Sequence, residues 1–128
     1  MNQKIKSYQS VITGIGASLP KRVVTNKDLT KIVDTTEEWI VERTGIQERR
    51  IASDNETTSS LGTEAAKIAL QNAQLKSKDI DLIILATATP DNTFPASATV
   101  IQSSLGIEKC YAYDMQAVCS GFVFALEA

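Results

Sequence analysis

Apolar and polar residues alternate along the chain in runs that are typical of strands and in stripes that are typical of helices. Residues 9–17, QSVITGIGA, are rich in β-branched side chains and close on glycines, which predicts a strand. The nearly continuous apolar run DLIILATATP, which begins at Asp81, is typical of a central strand covered on both faces. Residues 109–118, KCYAYDMQAV, predict a further strand.

Helical spacing accounts for most of the other apolar residues. Residues 23–33 predict a short helix with Thr25 or Asn26 as its N-cap and with inward-facing Leu29, Ile32 and Val33. The tetrapeptide TTEE at 35–38 fits a capping box, so a second helix is expected to run to about residue 43 and to stop at 44–45. The stretch QERRIA that follows is expected to be a loop or a short extended piece.

The second half of the chain repeats a strand–helix order. A longer helix is predicted over about 57–74, and the stripe that supports it consists of Leu61, Ala65, Ile68 and Ala69. Residues 90–95 predict a loop, 96–105 a helix stopped by Gly106, and 121–128 a last helix. The succession of strands and helices indicates an α/β fold with parallel strands joined by crossovers, and one domain over residues 1–128.

Composition narrows the function classes. The 128 residues are 43% hydrophobic and 22% charged, as in ordinary globular proteins, and the net charge of −2 argues against nucleic-acid and anionic-membrane binding. No run of about 20 apolar residues is present, and two cysteines are too few for a disulfide scaffold, so we expect a cytoplasmic protein with reduced thiols. Histidine is absent, and the last predicted helix has no stop signal, which suggests part of a longer protein.

Cys119 follows a predicted strand and is expected to lie in the first turn of a predicted helix. Free backbone N–H groups and the positive end of the helix dipole favour a thiolate there and can stabilise an oxyanion. The alternative is that Cys119 is a small buried hydrophobic residue. Cys110 enters a strand, a setting that favours a purely structural role.

Five stretches of the chain, in this order, resemble the β-ketoacyl-acyl-carrier-protein synthase III family of thiolase-superfamily condensing enzymes. They are GIGASLPKRVVTN, DTTEEWIVERTGIQERRIA, NETTSSLGTEAA, DLIILATATPDNTFPA and IQSSLGIEKCYAYDMQAVCSGF. The part EEWIVERTGIQER is particularly specific. The resemblance implies the amino-terminal half of the αβαβα thiolase-like fold, with a mixed or parallel sheet flanked by helices.

The resemblance also implies a reaction. An acyl group from acetyl-CoA or another short acyl-CoA would move to Cys119, the position of the family's nucleophile. Decarboxylative condensation with malonyl-acyl-carrier-protein would then give a 3-ketoacyl-carrier-protein, with no metal and with no cofactor apart from the CoA thioester substrate. The family's catalytic histidine and asparagine have no counterpart here, so the 128 residues alone are expected to be inactive in condensation.

Three residues are candidates for binding CoA. Trp39 and Arg43 lie four residues apart, on one face of a helix that Thr35 begins. An indole and a guanidinium can hold an adenine ring between them, or can simply form a cation–π pair with each other. The resemblance favours contacts to the CoA adenine. Arg49 and Arg50 could meet CoA phosphates or the acidic carrier protein, or form an ordinary solvated pair.

Phe94 lies in a predicted loop between a strand and a helix. From the residues alone it could be a core plug. The resemblance implies instead that it crosses a homodimer interface and helps to close the partner's acyl pocket.

Two alternatives to this enzyme stay open. One is a non-catalytic half that pairs with a separate chain. The other is a different CoA-dependent condensing enzyme of the same superfamily.

Overall fold

Short strands and helices alternate along residues 10–128, the part of the chain that this computed structural model describes. The strands are β1 (Arg22–Thr25), β2 (Glu48–Ile51), β3 (Leu82–Ala86) and β4 (Tyr111–Met115). The helices are α1 (Asn26–Leu29), α2 (Glu37–Thr44), α3 (Thr58–Ala73), α4 (Ser97–Ser104) and α5 (Gly121–Glu127). Two 3₁₀ turns lie at Ser77–Asp79 and Val118–Ser120. The predicted α/β order is confirmed.

β3 and β4 form a parallel pair, in register from Leu82 opposite Tyr111 to Ala86 opposite Met115. α4 connects them and packs against both strands. Both predicted strands are therefore confirmed, at five residues each. The central position predicted for β3 is wrong within the described residues, since β4 is its one hydrogen-bonded neighbour. Helices α4 and α5 both pack against β3, although Leu82 at its start is 43% exposed.

The main core lies around α4, which packs against α3 on one side and against both strands of the parallel pair on the other. Ala98 and Ile101 of α4 are buried there, as is Ile107 after the helix. A Cβ on Gly62 of α3 would lie 2.8 Å from Cδ1 of Ile101, so the missing side chain lets the two helices approach closely. α3 and α4 match the predicted helices to within one residue at each end. This packing fixes the place of α4 against β3 and β4.

A second, antiparallel pair joins β1 and β2. The extended piece predicted in QERRIA is thus a strand. The buried side chain of Asn26 links the pair to the loop before β2, since its Nδ2 donates to the Ile46 carbonyl at 2.8 Å. Its Oδ1 accepts from Nη2 of Arg49 at 2.7 Å, and Nη1 of Arg49 donates to the Val24 carbonyl at 3.2 Å. These bonds hold β1 and α1 on β2.

α1 begins at the predicted cap but is shorter than expected. Thr25 and Asp28 form a reciprocal capping box, which confirms Thr25 as the N-cap. The helix is shorter at its start because the β-branched residues before Thr25 join β1 rather than the helix, and it ends at Leu29. The inward orientation predicted for Ile32 and Val33 is wrong, since both follow the helix and are exposed.

α2 begins one residue later than the predicted capping box requires. Oγ1 of Thr36, rather than of Thr35, accepts from the backbone N–H of Trp39 at 3.1 Å. The box predicted for 35–38 is therefore wrong, while the helix itself is confirmed. It ends as expected at Gly45, whose φ of 68° lies in the left-handed region that favours glycine.

The strand predicted over residues 9–17 is wrong for residues 10–17, which form neither helix nor strand; Gln9 lies outside the described residues. This segment runs against α3 at its glycines. A Cβ on Gly14 would lie 2.3 Å from the Ala69 carbonyl oxygen, and one on Gly16 would lie 2.0 Å from that of Ala65. β-branched composition favours an extended chain, but a strand also needs a hydrogen-bonding partner.

Within residues 10–128, no helix combines the length and the apolarity that crossing a lipid bilayer requires. Over the same residues, no group of three or more His, Cys, Asp or Glu side chains is arranged to hold a metal ion.

We predict that Gly16→Ala lowers the free energy of unfolding by about 1–3 kcal/mol, because the added methyl group would overlap the backbone of α3. Gly45→Asn serves as the control, since a Cβ there meets nothing within 4 Å and asparagine tolerates a left-handed backbone. Urea unfolding followed by circular dichroism measures both. Equal stability of Gly16→Ala and the parent chain would contradict the close contact.

Candidate active site

Cys119 lies at a tight joint between β4 and α5. The strand ends at Met115, and a 3₁₀ turn over Val118–Ser120 leads into the helix. Val118 has φ of 45°, a left-handed conformation that a β-branched residue adopts only under strain. Such strain persists where surrounding structure enforces it and is frequent at functional sites. The side chain of Cys119 is exposed, so the alternative of a buried hydrophobic cysteine is wrong for this structure.

The position of Cys119 relative to the helix differs from the expectation. Ser120 is the N-cap of α5. Cys119 is the residue before this cap, so it lies outside the first turn of the helix. The turn is 3₁₀ at this point because the N–H of Ser120 donates to the Ala117 carbonyl at 3.0 Å. The thiol is therefore presented by the turn itself, in front of the helix.

Gly121 holds this joint against the sheet. It is buried at the start of α5, and a Cβ there would lie 2.9 Å from Cβ of Ala86, the last residue of β3. Because β3 and β4 are parallel, Cys119 lies near the edge formed by their carboxyl ends. Open α/β sheets typically bind ligands at this edge.

Phe94 belongs to the same edge. It lies in the loop that follows β3, and its side chain is 88% exposed. The alternative of a core plug is therefore wrong for this structure. The loop predicted over 90–95 is confirmed. An aromatic side chain this exposed lies outside the core.

The candidate CoA residues lie elsewhere, on and before α2. Trp39 is 52% exposed, and Cζ of Arg43 lies 4.9 Å from the centre of its ring, in a cation–π contact. An adenine held between them would need a separation of roughly 7 Å, twice a van der Waals contact, so Arg43 would have to swing aside. Trp39 and Thr35 line a groove of about 500 Å³ together with Leu29 and Val33.

The two neighbouring arginines have different surroundings. Arg49 is engaged by the internal bonds to Asn26 and Val24 described above. Arg50 forms an exposed ion pair with Glu48 at 3.6 Å, and its Nη1 approaches the Pro20 carbonyl. The structure thus brings Cys119 and Phe94 to one edge. α2, which carries Trp39, packs against α1, whereas α5 packs on β3.

Sequence reasoning missed a polar network beside the joint. Asp114 of β4 accepts from the N–H groups of Ser97 and Ala98 at 2.8 Å each. The hydroxyl of Ser97, which is 0% exposed, accepts from the N–H of Asp91 at 2.9 Å. The sequence does carry a sign of this network. Ala96, the residue before α4, is a poor N-cap, so the first N–H groups of the helix need a cap from another element.

Asp91 completes this network at the start of α3. Its carboxylate accepts from the N–H of Ser59 at 3.1 Å and from the hydroxyl of Thr57 at 3.1 Å. Burial is the largest single influence on the pKa of Asp91 and acts to raise it. The hydrogen bonds from Ser59, from Thr57 and from the backbone of Thr58 together outweigh burial and hold the pKa below its ordinary value. Asp91 is therefore held as a carboxylate.

The sequence of the chain is similar to sequences of known proteins. No protein-family model matches the chain. It is 61% identical over 118 residues to β-ketoacyl-[acyl-carrier-protein] synthase III of Brucella anthropi, and 59% identical over 118 residues to that of Ehrlichia canis. These matches cover 92% of the chain but only 36% and 37% of the two relatives. The chain thus spans little more than a third of the length of the relatives it matches.

Solved structures agree with the sequence matches. The chain superposes with a TM-score of 0.87 on 3-oxoacyl-[acyl-carrier-protein] synthase III from Aquifex aeolicus, at 53% identity, covering 91% of this chain and 37% of that one. It superposes equally well, at 38% identity, on the priming β-ketosynthase of the R1128 polyketide pathway, covering 90% and 34%. The resemblance to the amino-terminal portion of β-ketoacyl-acyl-carrier-protein synthase III, and to its thiolase-like fold, is confirmed.

We predict that iodoacetamide labels Cys119 well before Cys110 in the folded chain, because Cys119 is exposed and Cys110 is partly buried. Peptide mass spectrometry after substoichiometric labelling measures the ratio, and the same reaction in urea is the control. Equal labelling of both thiols under native conditions would show that the joint does not present Cys119 to solvent.

Proposed function

We propose that this chain carries the acyl-accepting site of a β-ketoacyl-acyl-carrier-protein synthase III, with Cys119 as its nucleophile. The observation that carries this proposal is the exposed thiol on a strained turn at the carboxyl edge of a parallel strand pair. The identity of 61% to a protein of that name supports the reaction class. A tetronic acid condensing enzyme of solved structure is 33% identical to the chain, compared with 53% for the synthase III from Aquifex aeolicus.

The first step follows from thioester chemistry. The Cys119 thiolate attacks the carbonyl carbon of acetyl-CoA or of another short acyl-CoA. The tetrahedral intermediate then collapses, the CoA thiolate leaves, and the acyl group remains on sulfur as a thioester. The attacking and leaving groups are both thiolates, so the free-energy change of the exchange is close to zero. No metal or further cofactor is needed for this transfer.

The second step needs groups from outside these residues. Malonyl-acyl-carrier-protein loses carbon dioxide, and the resulting carbanion attacks the acyl-Cys119 carbonyl. The bond from that carbonyl carbon to the Cys119 sulfur then breaks, which regenerates the thiolate and releases a 3-ketoacyl-carrier-protein. The resemblance assigns stabilisation of that carbanion to a histidine and an asparagine from the other portion of the enzyme. The 128 residues contain no histidine. We therefore propose that residues 1–128 act as an amino-terminal half-domain and do not condense alone.

The groove on α2 is the proposed place of the CoA nucleotide. Trp39 has a half-exposed ring face and Arg43 supplies a cation beside it. Thr35, just before the N-cap of α2, adds a hydroxyl group to the groove. Stacking of adenine on the indole would replace the present cation–π contact, which is worth about 0.5–1 kcal/mol at an exposed site. A base stacked on an aromatic ring contributes roughly 1–3 kcal/mol, so the exchange is favourable.

Phe94 supports a homodimer as the complete form. A phenylalanine that is 88% exposed in a loop at the carboxyl edge leaves a large apolar surface to water. We propose that it enters the partner's acyl pocket and limits the length of the primer.

Pairing with a separate chain is the second candidate for this protein. The exposed apolar side chains of Phe122, Val123 and Phe124 on α5 favour it. Acylation of Cys119 by the isolated chain would distinguish a catalytic half from a non-catalytic one.

We predict that [¹⁴C]acetyl-CoA labels the chain at Cys119. Cys119→Ser should abolish the label, whereas the matched variant Cys110→Ser should keep most of it, because the strand-entering thiol takes no part in transfer. Intact-mass analysis and scintillation counting measure both, and added malonyl-acyl-carrier-protein should give no 3-ketoacyl product. Equal loss of label in the two variants, or robust turnover, would contradict the assignment.

We predict that Trp39→Ala raises the acetyl-CoA concentration for half-maximal acylation by about 5- to 100-fold, which corresponds to roughly 1–3 kcal/mol of lost stacking. The maximal rate should change little, because the thiol is on another element. Phe122→Ala, another exposed aromatic truncation, is the control. An unchanged half-saturation concentration in Trp39→Ala would show that the adenine does not bind in this groove.

A further inference from the structure

We propose that Asp114, Ser97 and Asp91 are positioning residues, which together hold the loop of Phe94 and the joint of Cys119 in their relative places. This inference rests on the proposed acyl transfer to Cys119. The three side chains would make and break no bond in the acyl transfer. They would act on it through the backbone segments that they connect.

The Asp114 carboxylate is the cap that α4 lacks locally. Its two oxygens each accept one hydrogen bond of 2.8 Å, from the N–H groups of Ser97 and Ala98. The N-cap residue Ala96 has no side chain that can do this. Bonds from backbone N–H groups to a carboxylate at a helix start are charge-assisted and are favoured by the helix dipole. The end of β4, five residues before Cys119, is thereby fixed to the start of α4.

Ser97 and Asp91 extend the connection into the Phe94 loop. The fully buried hydroxyl of Ser97 accepts from the N–H of Asp91, and the Asp91 carboxylate accepts from the N–H of Ser59 at the start of α3. The loop is therefore bonded to α4 on one side and to α3 on the other. A hydrogen-bonded network built around a buried group such as Ser97 favours a single arrangement of the segments it joins.

The network borders a cavity that lies between the segments it connects. A cavity of about 460 Å³ lies between the Phe94 loop and the end of β4. Thr93, the neighbour of Phe94, lines it on one side, and Gln116, three residues before Cys119, lines it on the other. Asp114 also lines this cavity. A shift of the loop relative to β4 would change its shape and the approach of an acyl chain to the thiol.

The test compares Asp114→Asn with the matched control Asp79→Asn. Asp79 also accepts from a backbone N–H, that of Lys76 at 2.9 Å, but at the amino end of β3, away from Cys119. Ser97→Ala is a second variant, which removes only the acceptor for the Asp91 N–H and keeps the α4 cap. For each variant, Cys119 acylation is measured with acetyl-CoA and with hexanoyl-CoA, and amide hydrogen exchange is followed by NMR.

Asp114→Asn and Ser97→Ala should each lower the maximal rate of acetylation by on the order of tenfold to a hundredfold, as for a reacting group displaced by about 1 Å. The half-saturation concentration should stay within about twofold of the parent value, because the proposed nucleotide groove lies on α2. The preference for acetyl-CoA over hexanoyl-CoA should fall. Amide exchange should accelerate in residues 91–96 and 118–121 together, and Asp79→Asn should leave all these quantities unchanged.

Two outcomes overturn the inference. In one, the variants acetylate at the parent rate with the parent acyl preference, although the Ser97 and Ala98 amides exchange faster. In the other, exchange accelerates in α4 alone, so that Asp114 merely caps a helix. If the parent chain is never acylated, the proposed function fails, and the exchange pattern alone then decides whether the network holds the loop and the joint together.

Discussion

The parallel pairing of β3 with β4 is the constraint on which the candidate site depends. Parallel strands place their carboxyl ends at one edge, so the segments that follow them meet there although they are far apart in sequence. One of these segments is the loop of Phe94 and the other is the turn of Cys119. Gly121 then allows α5 to approach Ala86 closely, which fixes where the turn lies. The chemistry of the site is therefore set first by backbone topology.

Electrostatic and hydrogen-bonding interactions refine what the topology brings together. Asp114 and Asp91 stabilise the starts of α4 and α3, and Ser97 joins the two carboxylates through the loop backbone. The groove beside Trp39 is separate, on α2. The proposed CoA substrate would suit such an arrangement, since its nucleotide and its thioester end would be recognised by different elements.

Local features of the sequence predicted local structure well. Thr25 caps α1 as predicted, because a capping bond spans only three residues, although the box predicted at 35–38 begins one residue before the true cap, Thr36. Features that depend on distant partners failed. The β-branched residues 10–17 do not form a strand, and Ile32 and Val33 are exposed, since composition alone does not supply a neighbouring element. Cys119 was identified from its immediate neighbours, whereas Asp114 was missed because the N–H groups it caps lie 16 and 17 residues away.

The proposed function requires that Cys119 accept an acyl group from a CoA thioester. Carbon-13 NMR of the chain mixed with [1-¹³C]acetyl-CoA tests this directly. We expect a new protein-bound thioester carbonyl resonance that correlates with the β-protons of Cys119 and grows as free CoA is released. A carbonyl signal that stays on CoA, or that appears only as free acetate, would contradict it.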